Sequence, residues 1–146
     1  MANRSKEEEE LGKLSVEIRL LEQTAETLQQ RISVINAAIT DLTYANMALE
    51  GLEKEKEDAE LLVPIGGSSY VKVKLANTDK VIVGMGAGVS VEKTLPEAKS
   101  IVKERLDELE KTMAAAQQQF AQVAQRINSG RNRFEHLYSK VRTGNA

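Results

Sequence analysis

The stretch ELLVPIGGSSYVKVKLANTDKVIVGMGAGVSVEK, residues 60–93, decides the fold, because its apolar residues recur with a period of two. Leu61 to Ile65 is a short apolar run whose Pro64 suits a sheet edge or a strand end. Gly66-Gly67-Ser68 is a turn, and Tyr70 to Leu75 then alternates, with Val71, Val73 and Leu75 on one face and Tyr70, Lys72 and Lys74 on the other. Asn77-Thr78-Asp79 is turn chemistry between two alternating runs. Lys80 to Met85 forms a third strand with Val81, Val83 and Met85 on one face; Gly84, Gly86 and Gly88 bracket another turn, and Val89 and Val91 mark a fourth strand. The expectation is two short β hairpins over residues 61–93.

Outside this island the period changes. Leu11, Leu14, Ile18, Leu21, Ala25, Leu28, Ile32, Ile35, Ile39, Leu42, Asn46 and Leu49 step three, four, three, four without a slip, the heptad seam of paired helices. At ~1.5 Å per residue such a seam runs roughly 60 Å. Glu7 to Glu10 precede it, either as negative charge favouring a helix N-terminus or simply as a solvated end. Asn46 is a polar seam residue, of the kind that either fixes register or is merely tolerated. Beyond Leu52 the charged run to Glu60 loses the seam and reads as a solvated last turn or two.

Thr94-Leu95-Pro96-Glu97 has the form of a capping box, with Pro96 in the first turn. A second seam follows: Val102, Leu106, Leu109, Met113, Ala116, Phe120, Val123, Ile127, Gly130, Phe134, Leu137 and Val141. The chain is therefore expected to be mainly α with a small β insert. A helix over residues 1–60 folds back on a helix over 94–146 as an antiparallel coiled-coil hairpin, the two joined by the β hairpins. One register sets Leu14 against Val141, Leu21 against Phe134 and Gly130 against Ala25, with Ile39 against Ala116 as a large-on-small layer.

About 30 residues of hairpin fall below the size at which a small domain stands unaided, and open strand edges are templates for other chains. The hairpins are expected to complete a sheet or barrel with other subunits through Val71, Val73, Leu75, Val81, Val83, Met85, Val89 and Val91. At the chain ends Val16, Leu20 and Tyr138 fall off the seam beside Leu11, Leu14, Phe134, Leu137 and Val141, and this cluster is either ordinary exposed surface or a display for a partner.

Composition excludes several classes. With 146 residues, 29% charged, 3% aromatic, no Trp and no Cys, the chain leans to long helices rather than a bulky core or a disulfide framework. A net charge of −2 gives no global case for nucleic acid or an anionic membrane. The basic residues Arg126, Arg131, Arg133, Lys140 and Arg142 suit a helix C-terminus and lie opposite the acidic start; a nucleic-acid patch is the weaker reading of them. No signal segment and no apolar run of membrane-spanning length is present, so a cytoplasmic protein is expected. Gly84-Met85-Gly86-Ala87-Gly88 has no following Lys-Ser/Thr and no βαβ setting, so it turns strands rather than cradling a phosphate. His136 is the only histidine and has no partner group at motif spacing; no enzyme, metal or cofactor is expected.

Leu62-Val63-Pro64-Ile65-Gly66 entering the first hairpin, Gly84-Met85-Gly86-Ala87-Gly88 before the last strand and the helix start from Thr94 to Glu97 resemble the α-type subunit of archaeal prefoldin. The likeness covers nearly the whole chain, and two hairpins favour the α type over the β type. It implies a hexamer of two α-type and four β-type subunits whose hairpins form an intersubunit β barrel bearing six coiled coils. It further implies an ATP-independent chaperone that holds non-native clients at the coil tips and passes them to a group II chaperonin. Carried over, the tip is Leu11, Leu14, Val16, Ile18, Leu20, Phe134, Leu137, Tyr138 and Val141. The competing expectation is a structural coiled-coil scaffold that forms filaments through its hairpins and binds no client.

Overall fold

Two long helices bracket two β hairpins in the computed structural model, which describes residues 2–77 and 79–144. Helix α1 spans Ala2–Glu53 and helix α2 spans Leu95–Thr143. Every seam residue from Leu11 to Leu49 and from Val102 to Val141 is buried or half-buried, while most positions between them are exposed. The heptad pattern therefore faces a partner helix along both segments.

The ends of α1 differ from expectation. The helix already begins at Ala2, which puts Glu7 to Glu10 beyond its first turn. Their charges instead serve ion pairs, Glu8 with Arg4 at 3.2 Å and Glu9 with Lys13 at 3.7 Å. At the other end the solvated last turns do not form. Lys54 N and Glu55 N donate to Gly51 O and Leu52 O, tightening the final turn, and Asp58 takes a positive φ of 68°. Without apolar positions to bury, propensity alone does not carry the helix through residues 54–59.

Strands β1 (Glu60–Gly66) and β2 (Ser69–Lys74) pair antiparallel, as do β3 (Lys80–Gly86) and β4 (Val89–Thr94). They form two separate two-stranded sheets, so no barrel closes within the chain. Each loop has two residues, Gly67-Ser68 and Ala87-Gly88, with positive φ at both, as in the hairpin turns that follow strand twist. A bulge precedes each loop, where Gly66 (φ 103°) and Gly86 (φ 97°) adopt backbone that a Cβ would strain. Thr78 of the expected turn lies outside the described residues; beside it Asp79 N donates to Asn77 Oδ1 at 2.7 Å.

Helix α2 starts where the sequence signals it. Thr94 Oγ1 accepts from Glu97 N at 3.3 Å, the N-cap half of the box. The Glu97 carboxylate lies 4.0 Å from Lys93 Nζ.

The chain divides into two compact units, Met1–Ala37 with Lys111–Ala146 (the terminal unit) and Ala38–Glu110 (the hairpin unit). In the hairpin unit Leu49, Leu95, Ala98 and Val102 form a buried cluster, against which Leu42, Leu52, Leu106, Val81 and Val83 pack. In the terminal unit the buried residues are Leu28, Ile35, Ala116, Ile127 and Leu137. The helix register there differs from the expected one: Gly130 lies against Ile18, not Ala25, and an added Cβ would sit 3.1 Å from Ile18 Cγ1. A slide of one heptad leaves seam residues on seam residues, so periodicity does not distinguish the two registers. The observed one gives the missing side chain of Gly130 to a bulky Ile18.

Candidate functional site

Two surfaces carry the residues singled out by the sequence, one in each unit. On the first hairpin Leu61 pairs with Val73 and Val63 with Val71, an apolar face of four side chains. Val63 and Val71 are exposed. On the second hairpin Val83 pairs with Val91, and Met85, Val89 and Val91 are exposed. Val81 and Val83 are half-buried because they rest on the helix cluster around Leu49 and Leu95. Within the set expected for assembly, Val71, Met85, Val89 and Val91 thus present open apolar surface, Val73 and Leu75 are half-buried, and Val81 and Val83 serve the chain's own core.

The hairpins expose more apolar surface than periodicity suggested. Ile82 is 77% exposed, and Leu62, Ile65 and Tyr70 are each above 60%. Leu62, Tyr70 and Ile82 alternate with the expected set, so both faces carry apolar residues, while Ile65 in the first bulge matches Met85 in the second. The signal was present in Leu61-Leu62-Val63 and Val81-Ile82-Val83, unbroken apolar triplets of the kind found in strands covered on both faces.

The hairpins differ in how they are held. Arg105 of α2 donates through Nη2 to the Gly84 carbonyl at 2.8 Å and lies 3.9 Å from Met85 Sδ, fastening the second hairpin to α2. The first hairpin is joined at its base, where Asp58 N donates to Leu75 O and Leu75 N to Ala59 O, both at 2.9 Å.

In the terminal unit, Val16 and Leu20 stand one turn apart on α1 and are 55% and 56% exposed, and Tyr138 is 53% exposed. The Tyr138 ring stacks on Phe134, centroids 6.3 Å apart. Leu11, Leu14, Ile18, Phe134 and Val141 are half-buried in the helix pairing, and Leu137 is buried within it. An open groove of about 690 Å³ runs beside Gly130, with Leu14, Ile18 and Leu21 along its apolar side and Gln122, Gln125 and Arg126 along its polar side. Ion pairs cross between the helices nearby, Arg131 to Glu22 at 2.6 Å and Arg133 to Glu10 at 2.8 Å. The pair to Glu10 joins the acidic start to the basic end, as the sequence suggested; Glu22 lies beyond that start.

His136 is exposed. Among the described residues no three His, Cys, Asp or Glu side chains gather as metal ligands, and no helix is long and apolar enough to cross a membrane. What the two surfaces offer is apolar contact: strand edges with side chains on both faces in one unit, and in the other a groove and, apart from it, exposed aliphatic and aromatic side chains.

Comparison with known proteins agrees with this architecture. A family model described as prefoldin subunit matches residues 21–140. The chain is similar to the prefoldin subunit alpha of Methanopyrus kandleri, 37% identical over 121 residues that cover 81% of this chain and 77% of the relative. It is also similar to that of Pyrococcus horikoshii, 32% identical over 132 residues, 90% of this chain and 89% of the relative. Among solved structures, a chain from the cryo-EM structure of filamentous PFD from Methanocaldococcus jannaschii superposes with a TM-score of 0.66 at 26% identity, covering 77% of this chain and 93% of the other.

Proposed function

The chain belongs to the prefoldin family, and on that premise we propose that it is the α-type subunit of a cytoplasmic, ATP-independent chaperone. Its hairpins assemble with β-type subunits, two α-type with four β-type, and its terminal unit captures non-native proteins for transfer to a group II chaperonin. The observation that carries the capture step is the exposure of Val16, Leu20 and Tyr138, which occupy no seam position and lie at more than half of full exposure in one unit. Apolar side chains on several subunits of one assembly each hold a client weakly. Together they hold it through effective concentration, and each contact still exchanges. Holding of this kind draws on burial of client apolar surface and consumes no nucleotide.

The test is suppression of aggregation of a chemically denatured client by the complex formed with β-type subunits, in the absence of nucleotide. Replacing Val16, Leu20 and Tyr138 together by Ser is expected to weaken suppression severalfold. Stability should change by less than about 0.5 kcal/mol per site, as for surface substitutions generally. Full suppression by the triple variant would remove these residues from the client surface.

A second reading is a filament-forming scaffold that binds no client, favoured by the structural likeness to a subunit of a filamentous assembly. Light scattering separates the two, since a closed complex has one mass and a filament grows with concentration.

A further inference from the structure

The two helices run through the hairpin unit over equal lengths, residues 38–53 of α1 and 95–110 of α2, but their solvent faces differ. In α2 eight of those residues are charged. Glu97, Lys103, Glu104, Asp107, Glu108 and Glu110 stand exposed there, and none of its large apolar side chains does. In α1 three are charged, Asp41, Glu50 and Glu53. Between Asp41 and Glu50 the exposed positions are Thr43, Tyr44, Met47 and Ala48, none of them charged. Thr43 turns its hydroxyl onto its own helix, Oγ1 donating to Ile39 O at 2.8 Å. Tyr44 is 66% exposed and Met47 60%. Thr40, Tyr44, Met47 and Gly51 follow one another at steps of four, three and four, so they share one face of α1, off the seam of Leu42, Asn46 and Leu49.

A single exposed apolar side chain is ordinary. A tyrosine and a methionine one turn apart, on a stretch without charge, form a contact surface, and its size and chemistry narrow what it contacts. An aromatic side chain buries roughly 150–250 Å² when wholly covered. Tyr44 and Met47 therefore offer far less than the ~800 Å² per partner of a stable protein–protein interface, too little to hold a second copy of this chain. Methionine is flexible and polarizable, and tyrosine is apolar along its ring and polar at its tip. Such side chains re-pack against partners of differing shape. A weak contact indifferent to shape suits an apolar segment of a non-native protein.

We propose that the Tyr44–Met47 face of α1 is a second contact for apolar segments of a non-native protein, placed in the hairpin unit and additional to Val16, Leu20 and Tyr138 of the terminal unit. The inference rests on the client-capture reading and deepens it, since a client held in both units gains avidity from each.

The chain lacks Cys, so one introduced thiol carries one label. Complexes with Cys-free β-type subunits are formed from chains bearing a benzophenone maleimide at Met47→Cys, at Val16→Cys or at Asp107→Cys, the last an exposed site on the charged face of α2. Each is irradiated with reduced, carboxymethylated lactalbumin, a probe that stays unfolded in buffer. Met47→Cys is expected to crosslink the probe about fivefold more than Asp107→Cys, with Tyr44→Cys in its place should Met47→Cys fail to assemble. The unlabelled double variant Tyr44→Gln, Met47→Gln is expected to keep the wild-type mass by light scattering. It should need about three times the wild-type concentration to suppress client aggregation to the same extent.

Probe crosslinking at Val16→Cys, with Met47→Cys no better than Asp107→Cys, would overturn the proposal and leave the capture reading standing. Crosslinks from Met47→Cys to another subunit with the probe left out, or a lower mass for the double variant, would make this face a subunit contact and overturn it as well. So would suppression by the double variant at the wild-type concentration. No probe crosslinking from any of the three sites would instead overturn the capture reading, and this proposal with it.

Discussion

The two units bury the same kinds of residue by different geometry. In the hairpin unit the helix cluster is capped by strand residues Val81 and Val83, and Ala98 is 0% exposed. In the terminal unit two helices have only each other, and Leu11, Leu14, Ile18, Leu21 and Ala25 all remain half-buried. Two helices bury some seam positions fully, Leu28, Ile35 and Ile127 among them, but leave others open at the flanks, and a third element covers such positions. The comparison predicts unequal costs for the same truncation. Leu49→Ala is expected to destabilise by about 2–4 kcal/mol, near the usual range for a buried leucine, and Leu14→Ala by roughly half as much. Urea unfolding at one fixed protein concentration measures both, since assembly links stability to concentration. A larger loss at Leu14 would break the comparison.

Within the terminal unit the sharpest packing constraint is Gly130. Alanine there gains about 1 kcal/mol of helix propensity but brings a Cβ to 3.1 Å of Ile18 Cγ1, so Gly130→Ala is expected to stay within about 1 kcal/mol of wild type. Gly130→Val drives two more carbons into Ile18 and is expected to cost about 1–3 kcal/mol, as overpacking does. Thermal unfolding of the two variants side by side reads the difference. If valine is as mild as alanine, the helices there are looser than the Ile18–Gly130 contact indicates.

These contrasts also show what a sequence can carry. Element type was legible wherever period and turn chemistry agreed: two heptad seams, two alternating hairpins and the Thr94 cap all stand where the residues indicate. Thr94→Ala is accordingly expected to cost about 1 kcal/mol through its lost bond to Glu97 N, measurable as a lower urea midpoint. Register was not legible, because a heptad repeat looks the same after a slide of seven. Ile18 against Gly130 is a fact of three dimensions. Nor was the difference between the hairpins legible. Their sequences alternate alike, and only the fold brings Arg105 to Gly84 and sets Val81 and Val83 on the helix cluster. The apolar surface of Ile82 and Leu62 was written in the triplets, but a search for alternation passes over residues that break it.

The smallest expected effect concerns charge. Arg131 to Glu22 and Arg133 to Glu10 join the two helices of the terminal unit at 2.6 Å and 2.8 Å, with side chains about half exposed. Short distance does not make such pairs strong: exposed pairs are screened by water and ions, and holding two long side chains in place costs entropy. A double-mutant cycle on Glu22→Gln and Arg131→Gln is expected to give a coupling of at most about 0.5 kcal/mol, fading toward zero at 1 M salt. The hairpin unit has its own cross-helix pair, Glu53 with Lys99 at 3.1 Å, whose side chains are less exposed at 42% and 32%. The same cycle there should give a coupling that equals or exceeds the first and survives salt better, because screening acts less on partly buried charge. A larger, salt-resistant coupling at Glu22–Arg131 would mean that charge, and not the half-buried seam, holds the terminal helices together.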